Sequence, residues 1–315
     1  MCNIRSAWFI LSAGVAGCAL VFSSVGCAKP RVAGDGFVMQ PELIDSELAA
    51  AQEEELLPII LDVRPQDQYE TSHLAGAQQI DAAEWTRLSR EDANSLREVA
   101  AWQARVGALG IGPKDAVYIY DDGHMLDAAR VWFILQQAGV RNAAVIDGGF
   151  PAISTAVSAA RLTSAASLPP RPKKFAVSTR GGPVVPLADA QQVRRRSGDR
   201  TDRVLDVRSP GEFSGKDARK NPRGGHVPDA LNIPHSKFVN ENGRLKSNDE
   251  IRRILEQAGL RPGEAMTVHC QSGGRSSLAA LAIARSGFGP VSHYYMSFEE
   301  LARDEKCTLI GAAEK

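Results

Sequence analysis

The segment 269–277 (HCQSGGRSS) holds the residues of this 315-residue chain that are best suited to nucleophilic chemistry. An apolar run of strand length, Ala265 to Val268, precedes it, and an Ala/Leu-rich run with helical spacing, Ser276 to Arg285, follows it. Ser276 and Ser277 stand where an N-cap is expected. The sequence therefore predicts that Cys270 lies in a turn that leads from a strand into a helix.

Backbone and charge in this turn favour an anion at Cys270. Gly273 and Gly274 permit backbone angles that turn successive N–H groups inward. Those N–H groups, the positive end of the helix dipole and Arg275 all attract negative charge. Such surroundings lower the pKa of a thiol from about 8.5 toward neutrality, because they stabilise the thiolate. We predict that Cys270 is a reactive nucleophile, since an inert, buried thiol would not need this loop.

An internal repeat organises the rest of the chain. The recurring pairs are 61–64 with 205–208 (both LDVR), His73 with His226, Asp121 with Cys270, 127–137 with 277–286, and Phe150 with Phe298. The offset of roughly 145 to 150 residues is the size of one α/β domain. Asp121 falls where the second copy has its cysteine, and Asp122 adds a second negative charge there. The first copy is therefore predicted to be inactive.

Apolar, β-branched runs alternate with helical patterns in both copies. The runs lie at 58–61, 116–120 and 143–146 in the first copy, and at 203–205, 266–269 and 292–295 in the second. Strands that are apolar on both faces and separated by helices indicate a parallel sheet covered on both sides. We predict an α/β protein with a first domain at 36–156, a Pro/Gly-containing linker at 157–182 and a second domain at 183–312.

The N-terminus has the layout of a secretory signal peptide at 1–27. Arg5 precedes an apolar run from Ala7 to Phe22, which is too short for a comfortable membrane span. Small residues that end at Cys27 are similar to the lipobox of bacterial lipoproteins, in which this cysteine is lipidated. Cys18 fits the same pattern, but the polar sequence after Cys27 favours Cys27. We expect an exported, periplasmic or cell-envelope protein whose membrane contact is a lipid anchor at Cys27.

Composition argues against nucleic-acid binding, a disulfide framework and a metal site. The 37 basic and 37 acidic residues balance, so the electrostatic footprint of a nucleic-acid-binding protein is missing. Beyond the signal peptide only Cys270 and Cys307 remain, and a bridge between them would block the loop chemistry, so we interpret Cys307 as a packed thiol. Neither His73 nor His226 has a second His or Cys at metal-ligand spacing, so we predict no metal and no cofactor.

The motifs and their order resemble the tandem form of the rhodanese (sulfurtransferase) family over residues 36–312. They are Asp-x-Arg at 206–208, the His226-Val-x-x-Ala motif and the Cys270 loop, each with a counterpart in the first copy. The resemblance implies two α/β domains, each a parallel five-stranded sheet flanked by helices, with the catalytic cysteine in the second. It also implies double displacement, in which the thiolate takes a sulfane sulfur, holds it as a persulfide and passes it on. Loop N–H groups can stabilise a persulfide without a metal or cofactor.

On this interpretation the donor is a small anion and the acceptor is cyanide or a thiol. Cys270 is assigned as the catalytic residue. Substrate contacts are assigned to the loop and to one arginine outside it: Gln271, Ser272, Gly273, Gly274, Arg275, Ser276 and Arg208. Asp206 and His226 receive supporting roles, Asp206 as the partner of Arg208 at the strand end and His226 as a donor to loop backbone. The ion pair expected between Asp206 and Arg208 favours a structural over a binding role for Arg208.

Three departures from the family leave the donor open between thiosulfate and 3-mercaptopyruvate. Tandem rhodaneses tend to have an arginine where this chain has Glu212. Ser272 is similar to the loop of mercaptopyruvate sulfurtransferases, whereas Arg275 resembles single-domain rhodaneses. Gln271 lacks the positive charge that is common beside the cysteine of thiosulfate rhodaneses.

Two other functions fit a reactive cysteine in such a loop. One is a carrier that hands the Cys270 persulfide to a protein partner with little turnover of small molecules. The other is a phosphatase or arsenate reductase. Protein tyrosine phosphatases place five residues between cysteine and arginine, whereas four separate Cys270 from Arg275. The shorter loop makes a smaller cradle, which favours sulfur over phosphorus chemistry.

Overall fold

The structure is a computed structural model that describes residues 35–50, 57–167, 169–175, 183–196 and 202–311. The predicted signal peptide, with Cys18 and Cys27, lies outside the described residues, as do residues 176–182 of the predicted linker. Within the described part, no helix is both long and apolar enough to span a bilayer.

The first copy alternates strands and helices, as its apolar runs predict. Its strands are β1 (Val38–Met39), β2 (Ile59–Asp62), β3 (His73–Leu74), β4 (Gln78–Gln79), β5 (Val117–Tyr120), β6 (Ala143–Ile146) and β7 (Leu162–Thr163). Its helices are α1 (Ile44–Ala50), α2 (Gln66–Thr71), α3 (Ala82–Leu88), α4 (Val99–Ala108), α5 (Leu126–Ala138) and α6 (Gly149–Ala156).

The main sheet of the first copy has the order β1-β6-β5-β2-β4, and all its pairs are parallel. Every residue of β5 and β6 is buried, because helices cover both faces of the sheet. Strands β3 and β7 form a separate antiparallel pair. The predicted five-stranded parallel sheet is confirmed in this copy.

The second copy repeats the alternation of strands and helices, but in the part of the chain that the structure describes its sheet has four strands and not five. Its strands are β8 (Asp202–Asp206), β9 (Leu231–Asn232), β10 (Ala265–His269) and β11 (Val291–His293). Its helices are α7 (Ala190–Arg196), α8 (Pro210–Phe213), α9 (Asn248–Gln257), α10 (Gly274–Ser286) and α11 (Ser297–Arg303). The sheet order is β11-β10-β8-β9, again with parallel pairs throughout.

The second sheet differs from the five strands expected, because a single bridge holds the place that β1 has in the first copy. Leu187 pairs in parallel with His293. The pairing consists of His293 N–H donating to Pro186 O and Ala188 N–H donating to His293 O, both at 2.9 Å. Pro186 has no N–H to extend the ladder, so the fifth strand is reduced to one bridge among the described residues.

The two copies share one core through helices α5 and α10. Trp132 and Phe133 of α5 are fully buried in the same cluster as Leu281 of α10. The Phe133 ring lies 4.4 Å from the His293 ring and 5.8 Å from the Tyr295 ring, centroid to centroid. This packing holds the first copy against the end of β11 and the loop that follows it.

Candidate active site

Cys270 lies directly after β10, and α10 begins four residues later at Gly274, so the predicted strand-to-helix turn is present. The N-cap residue is Gly273, with φ 99°, and not the Ser276–Ser277 pair expected from the sequence. Both serines lie inside the first turn, where the Ser277 hydroxyl donates to Gly273 O at 2.9 Å and Ser276 Oγ lies 3.0 Å from the same oxygen. The positive φ favours a glycine at 273, and a Cβ on Gly274 would lie 2.6 Å from Arg130 Nη2, so that a larger residue there would displace the guanidinium.

The sulfur of Cys270 is almost fully enclosed, with 1% of the residue exposed, and polar groups surround it. Gly273 N–H donates to Sγ at 3.1 Å and Ser276 Oγ–H donates to it at 3.3 Å. Burial opposes ionisation, but the Arg275 charge, the Ser276 hydroxyl and nearby backbone N–H groups outweigh it and lower the pKa of the Cys270 thiol. The loop therefore favours a thiolate.

Ser276 connects the sulfur to a buried histidine that the sequence did not single out. Its Oγ lies 2.7 Å from His293 Nε2 as well as 3.3 Å from Cys270 Sγ. Burial, together with the Arg130 charge, holds the pKa of His293 well below its usual value, so the ring is neutral. When the Ser276 proton points at Sγ, His293 Nε2–H is free to donate to Oγ, which orients the hydroxyl toward the sulfur.

Arg275, predicted to meet the substrate, forms a two-point ion pair with Glu212. Its Nη1 and Nη2 lie 2.7 and 2.8 Å from the two Glu212 carboxylate oxygens. Glu212 is fully buried, which alone would raise its pKa, but Arg275 and the Ser209 N–H and hydroxyl lower it to about 2. Arg275 thus lies beside the cavity with its charge largely compensated.

The side chain of Gln271 points out of the cradle, whereas the backbone of Ser272 anchors it. Gln271 exchanges amide hydrogen bonds with Asn221 at 3.1 and 2.9 Å. The Ser272 carbonyl accepts from Arg130 Nη1 at 2.9 Å and from Arg90 Nη1 at 3.2 Å, both from the first copy. The first copy therefore holds the loop of the second from across the domain interface.

The structure does not bring Arg208 into the cradle. Its guanidinium is 1% exposed, bonds to both Asp206 carboxylate oxygens and to Gly225 O, and lies 3.6 Å above the Phe298 ring. Arg64 makes the same contacts with Asp62, and lies 3.7 Å above Phe150, in the copy that has no cysteine. This duplicated arrangement accords with the structural role that the sequence favours for Arg208.

His226 contacts the end of α8 through both its ring nitrogen and its ring face. Its Nδ1 lies 2.8 Å from Phe213 O, and its ring stacks on Phe213 with the centroids 3.6 Å apart. His73 repeats this arrangement with Tyr69, at 2.7 Å and 3.7 Å respectively. Both histidines fix the turn that follows the Asp-x-Arg strand.

A cavity of about 300 Å³ opens above Cys270 and is lined by both copies. Its lining residues are Asp121, Asp122, His124, Leu126, Asp127 and Arg130 from the first copy, and Cys270, Ser272, Gly274 and Arg275 from the second. The sequence assigned Asp121 and Asp122 to a separate cradle in the first copy. The structure instead makes the two equivalent loops face one another across a single cavity.

Asp121 occupies its loop much as Cys270 occupies its own. Its carboxylate accepts from Gly123 N–H and Met125 N–H at 3.0 Å each, and from Ala128 N–H at 3.2 Å. Burial raises the pKa of Asp121 to about 6, although these N–H groups oppose the rise. The first loop therefore retains the anion-binding backbone without a nucleophile.

Arg130 is the cavity residue that the sequence reading missed. It lies in α5 and is 7% exposed among apolar neighbours. An arginine inside an otherwise apolar buried helix is itself a signal, because arginine is rarely buried without a partner.

Cys270 and Cys307 are both free thiols, and no group of three or more potential metal ligands occurs among the described residues.

Comparison with known proteins assigns both copies to one family. Residues 45–156 and 189–304 each match the rhodanese-like domain. A provisionally named thiosulfate sulfurtransferase of Synechococcus elongatus is 31% identical over 245 residues, which cover 71% of this chain and 71% of that one. The 3-mercaptopyruvate sulfurtransferase of Escherichia coli K12 is 25% identical over 245 residues, which cover 77% and 82% of the two chains.

A solved structure shows the same fold at lower identity. The anaerobic ergothioneine biosynthesis enzyme from Chlorobium limicola aligns with a TM-score of 0.75 at 18% identity, over 87% of this chain and 70% of that chain. The named relatives support a sulfurtransferase role, and the parallel α/β sheets with their duplicated Asp-x-Arg strands agree with the family match. The chain therefore belongs to the rhodanese family and contains two rhodanese-like domains.

Proposed function

We propose that this protein is a sulfurtransferase that moves a sulfane sulfur from thiosulfate or 3-mercaptopyruvate to cyanide or a thiol through a persulfide on Cys270. The observation that carries the proposal is the environment of the sulfur. Gly273 N–H, Ser276 Oγ–H and the Arg275 charge stabilise negative charge on Sγ, and a cavity opens above it. The same groups stabilise a persulfide anion, which carries its charge one atom further out.

Each half of the reaction is a displacement at sulfur. The Cys270 thiolate attacks the outer sulfur of thiosulfate, the S–S bond of the donor breaks, and sulfite leaves with the electron pair. With 3-mercaptopyruvate the C–S bond breaks instead, and the enolate of pyruvate leaves and takes up a proton. Cyanide then attacks the outer sulfur of the persulfide, thiocyanate leaves, and the thiolate is restored for the next cycle.

Two features support sulfur chemistry over phosphoryl chemistry. The loop has four residues between Cys270 and Arg275, one fewer than in protein tyrosine phosphatases. Arg275 is also held by both Glu212 carboxylate oxygens, so its fork is not available to bind a phosphate. The enclosure of Cys270 in a cavity between the copies supports a small acceptor rather than a protein thiol.

Intact-mass measurement after incubation with each donor tests the proposal. Wild-type protein should gain the mass of one sulfur atom, and cyanide should remove it as thiocyanate. Cys270→Ser should gain nothing, whereas Cys307→Ser, which removes the other free thiol of the described residues, should behave as wild type. Failure of wild-type protein to form a persulfide with either donor would refute the proposal. A persulfide that small acceptors discharge only slowly would indicate the carrier function instead.

We also propose, on the sequence alone, that the protein is exported and lipid-anchored at Cys27, in the periplasm or cell envelope. The test is metabolic labelling with a fatty acid in a bacterial host, followed by fractionation. Label should be lost in Cys27→Ala and kept in Cys18→Ala. Label that depends on Cys18 would move the anchor, and an unlabelled wild-type protein would contradict lipidation.

A further inference from the structure

Arg130 reaches the cavity from the copy that has no cysteine. Its side chain is 9% exposed, and Nη1 donates to Ser272 O at 2.9 Å and to Tyr295 OH at 3.1 Å. The rest of the guanidinium lies against Gly274 at the start of α10. Nε has no hydrogen-bond partner in the part of the chain that the structure describes. A buried guanidinium with unused donors is costly unless another group completes its bonding.

The charge of Arg130 is also less well compensated than that of the neighbouring arginines. Its nearest carboxylate oxygen, Asp127 Oδ1, is 3.9 Å from Nε, and the Asp127 side chain is 57% exposed. By contrast, Arg275 contacts buried Glu212 at 2.7 and 2.8 Å, and Arg90 contacts Glu299 at 2.8 Å. Coulomb attraction falls with distance and with solvent screening, so Arg130 keeps the most positive potential of the three.

The remaining charge in the cavity opposes an anionic donor. Asp122 and Asp127 lie on the wall that the first copy contributes, and both are substantially exposed. A donor such as thiosulfate must pass these carboxylates to reach Cys270. The Arg275 charge acts on the Cys270 sulfur, but both ends of its guanidinium are bonded to Glu212. The proposed reaction therefore needs a second cation, one with free donors, on the cavity wall.

We infer that Arg130 is the residue that binds the anionic group of the sulfur donor beside Cys270. This inference rests on the proposed sulfurtransferase function and deepens it. The first copy, although it has no cysteine, then supplies the donor-binding charge of the active site, and each domain contributes one half: the second the nucleophile, the first the cation. Arg130 replaces Arg275 in the role that the sequence suggested.

Alkylation of Cys270 by matched reagents tests the anion site without relying on sulfur transfer. Iodoacetate is an anion and iodoacetamide is its neutral counterpart, so the ratio of their rates reports the potential at the sulfur. Both reagents react with the thiolate, so the ratio does not depend on the thiol pKa. Arg130→Met should lower the iodoacetate-to-iodoacetamide ratio by about fivefold or more, because it removes a positive charge near Sγ.

Arg90→Met is the matched control. Arg90 also comes from the first copy and also donates to Ser272 O, but it does not line the cavity and is paired with Glu299. Loosening of the loop alone would affect both variants alike. We expect the ratio to stay within about twofold of wild type in Arg90→Met and to be largely kept in Arg130→Lys, which retains the charge. An equal fall in Arg90→Met and Arg130→Met would overturn the inference.

Asp127→Asn keeps the inference testable if Arg130→Met does not fold. This exposed carboxylate lies 3.9 Å from Arg130, and its removal strengthens the local positive potential, so the ratio should rise by about twofold. An unchanged ratio would mean that charges in this wall do not act at the sulfur, and the inference would be wrong.

Loading with thiosulfate separates this inference from the proposed function. In Arg130→Met the thiosulfate concentration that gives half-maximal persulfide formation should rise about tenfold, while Arg90→Met stays near wild type. If wild type forms no persulfide but the alkylation ratio falls in Arg130→Met, the proposed function fails and the anion site stands. If wild type forms a persulfide and neither measurement changes in Arg130→Met, the function stands and the inference fails.

Discussion

Arg275 and the buried Glu212 form a two-point ion pair, with Nη1 2.7 Å from Oε2 and Nη2 2.8 Å from Oε1. It joins the first turn of α10, which carries the cysteine loop, to α8, which follows the Asp-x-Arg strand. Each residue departs from the tandem rhodanese pattern when the sequence is read alone. In the structure the two departures compensate one another. Glu212 puts a carboxylate where the family tends to have an arginine, and Arg275 of the cysteine loop supplies the positive charge that pairs with it.

Glu212→Gln is expected to remove stability that depends on pH. The usual pKa of a glutamate, near 4.5, is lowered to about 2 here, so ionised Glu212 stabilises the fold above pH 4.5. That contribution, about 2–3 kcal/mol, is lost as the pH falls from 4.5 toward 2. Denaturant unfolding of both proteins across this range should show wild type more stable at neutral pH and the two curves converging near pH 2.

Glu250→Gln is the control for this experiment. Ser247 and Glu250 form a capping box at α9 like that of Ser209 and Glu212 at α8, but Glu250 is exposed and has no arginine partner of this kind. Its removal tests the cap without the buried ion pair. A pH dependence in Glu250→Gln as large as that in Glu212→Gln would show that the cap, and not Arg275, is responsible.

Ser276→Ala is expected to raise the pKa of the Cys270 thiol, because the thiolate loses a hydrogen-bond donor. The measurement is the pH dependence of alkylation by iodoacetamide. Ser277→Ala is the matched control, since Ser277 is the next residue of the same turn and is also buried, but it donates to Gly273 O and not to the sulfur. Equal shifts in the two variants would mean that the serines act only through the loop backbone.

The local features of the site could be predicted from the sequence, whereas the contacts between the copies could not. The cysteine turn, the Asp-x-Arg pairs and the His226 position each depend on residues close together in the chain or on a repeated pattern. Arg130 reaches Ser272 only because α5 packs on α10, and both helices are apolar on nearly all sides. Such helices are predictably buried, but their sequences do not say against which partner.

The partners of single side chains in the cysteine loop could not be predicted from the sequence either. Gln271 was expected in the cradle, but it bonds to Asn221 in the segment after α8. The charge at Arg275 was predictable, but its partner Glu212 was not, because many acidic residues could have paired with it. Likewise, Gly273 caps α10 in place of the serines because a positive φ is required there, and sequence spacing does not show this.

Ser297 has a left-handed backbone, with φ 63°, directly beside the cysteine. Its Oγ accepts from Cys270 N–H at 3.2 Å and donates to Tyr294 O at 2.9 Å. Ser297→Ala should destabilise the fold by about 1–2 kcal/mol, because it loses both bonds and keeps the strain. Ser297→Gly loses the same bonds but relieves the strain, so it should be about 1 kcal/mol more stable than the alanine variant. An alanine variant as stable as the glycine variant in chemical unfolding would contradict this.

Gly149 is the counterpart of Ser297 in the first copy. The loss of stability in Gly149→Ala can therefore be compared directly with that in Ser297→Ala. Gly149 has φ 58°, and a Cβ there would lie 2.5 Å from both Asp121 O and Gly123 N. Gly149→Ala combines backbone strain with a clash against main-chain atoms, so it should be more destabilising than Ser297→Ala. The reverse order would mean that the two loops are not equivalent.

Asp121 should make the first copy sensitive to pH in the opposite sense to Glu212. Burial raises its pKa from the usual 3.8 to about 6, so the protonated carboxyl is favoured in the folded state. The protonated Asp121 carboxyl contributes about 2–3 kcal/mol to the free energy of unfolding. This contribution is fully present below pH 3.8 and is lost as the pH rises through 6. Wild type should therefore lose stability relative to Asp121→Asn between pH 4 and pH 7, as measured by denaturant unfolding.

Asp122→Asn provides an independent check on the same group. The Asp122 charge contributes to the raised pKa of Asp121, so its removal should lower that pKa and move the loss of stability to lower pH. Asp122 is itself substantially exposed, so its replacement should otherwise change the unfolding free energy little. If the pH dependence of wild type is unchanged in Asp121→Asn, the three N–H donors of the loop stabilise the carboxylate enough to cancel its burial. The first loop would then be as good an anion cradle as the one that surrounds Cys270.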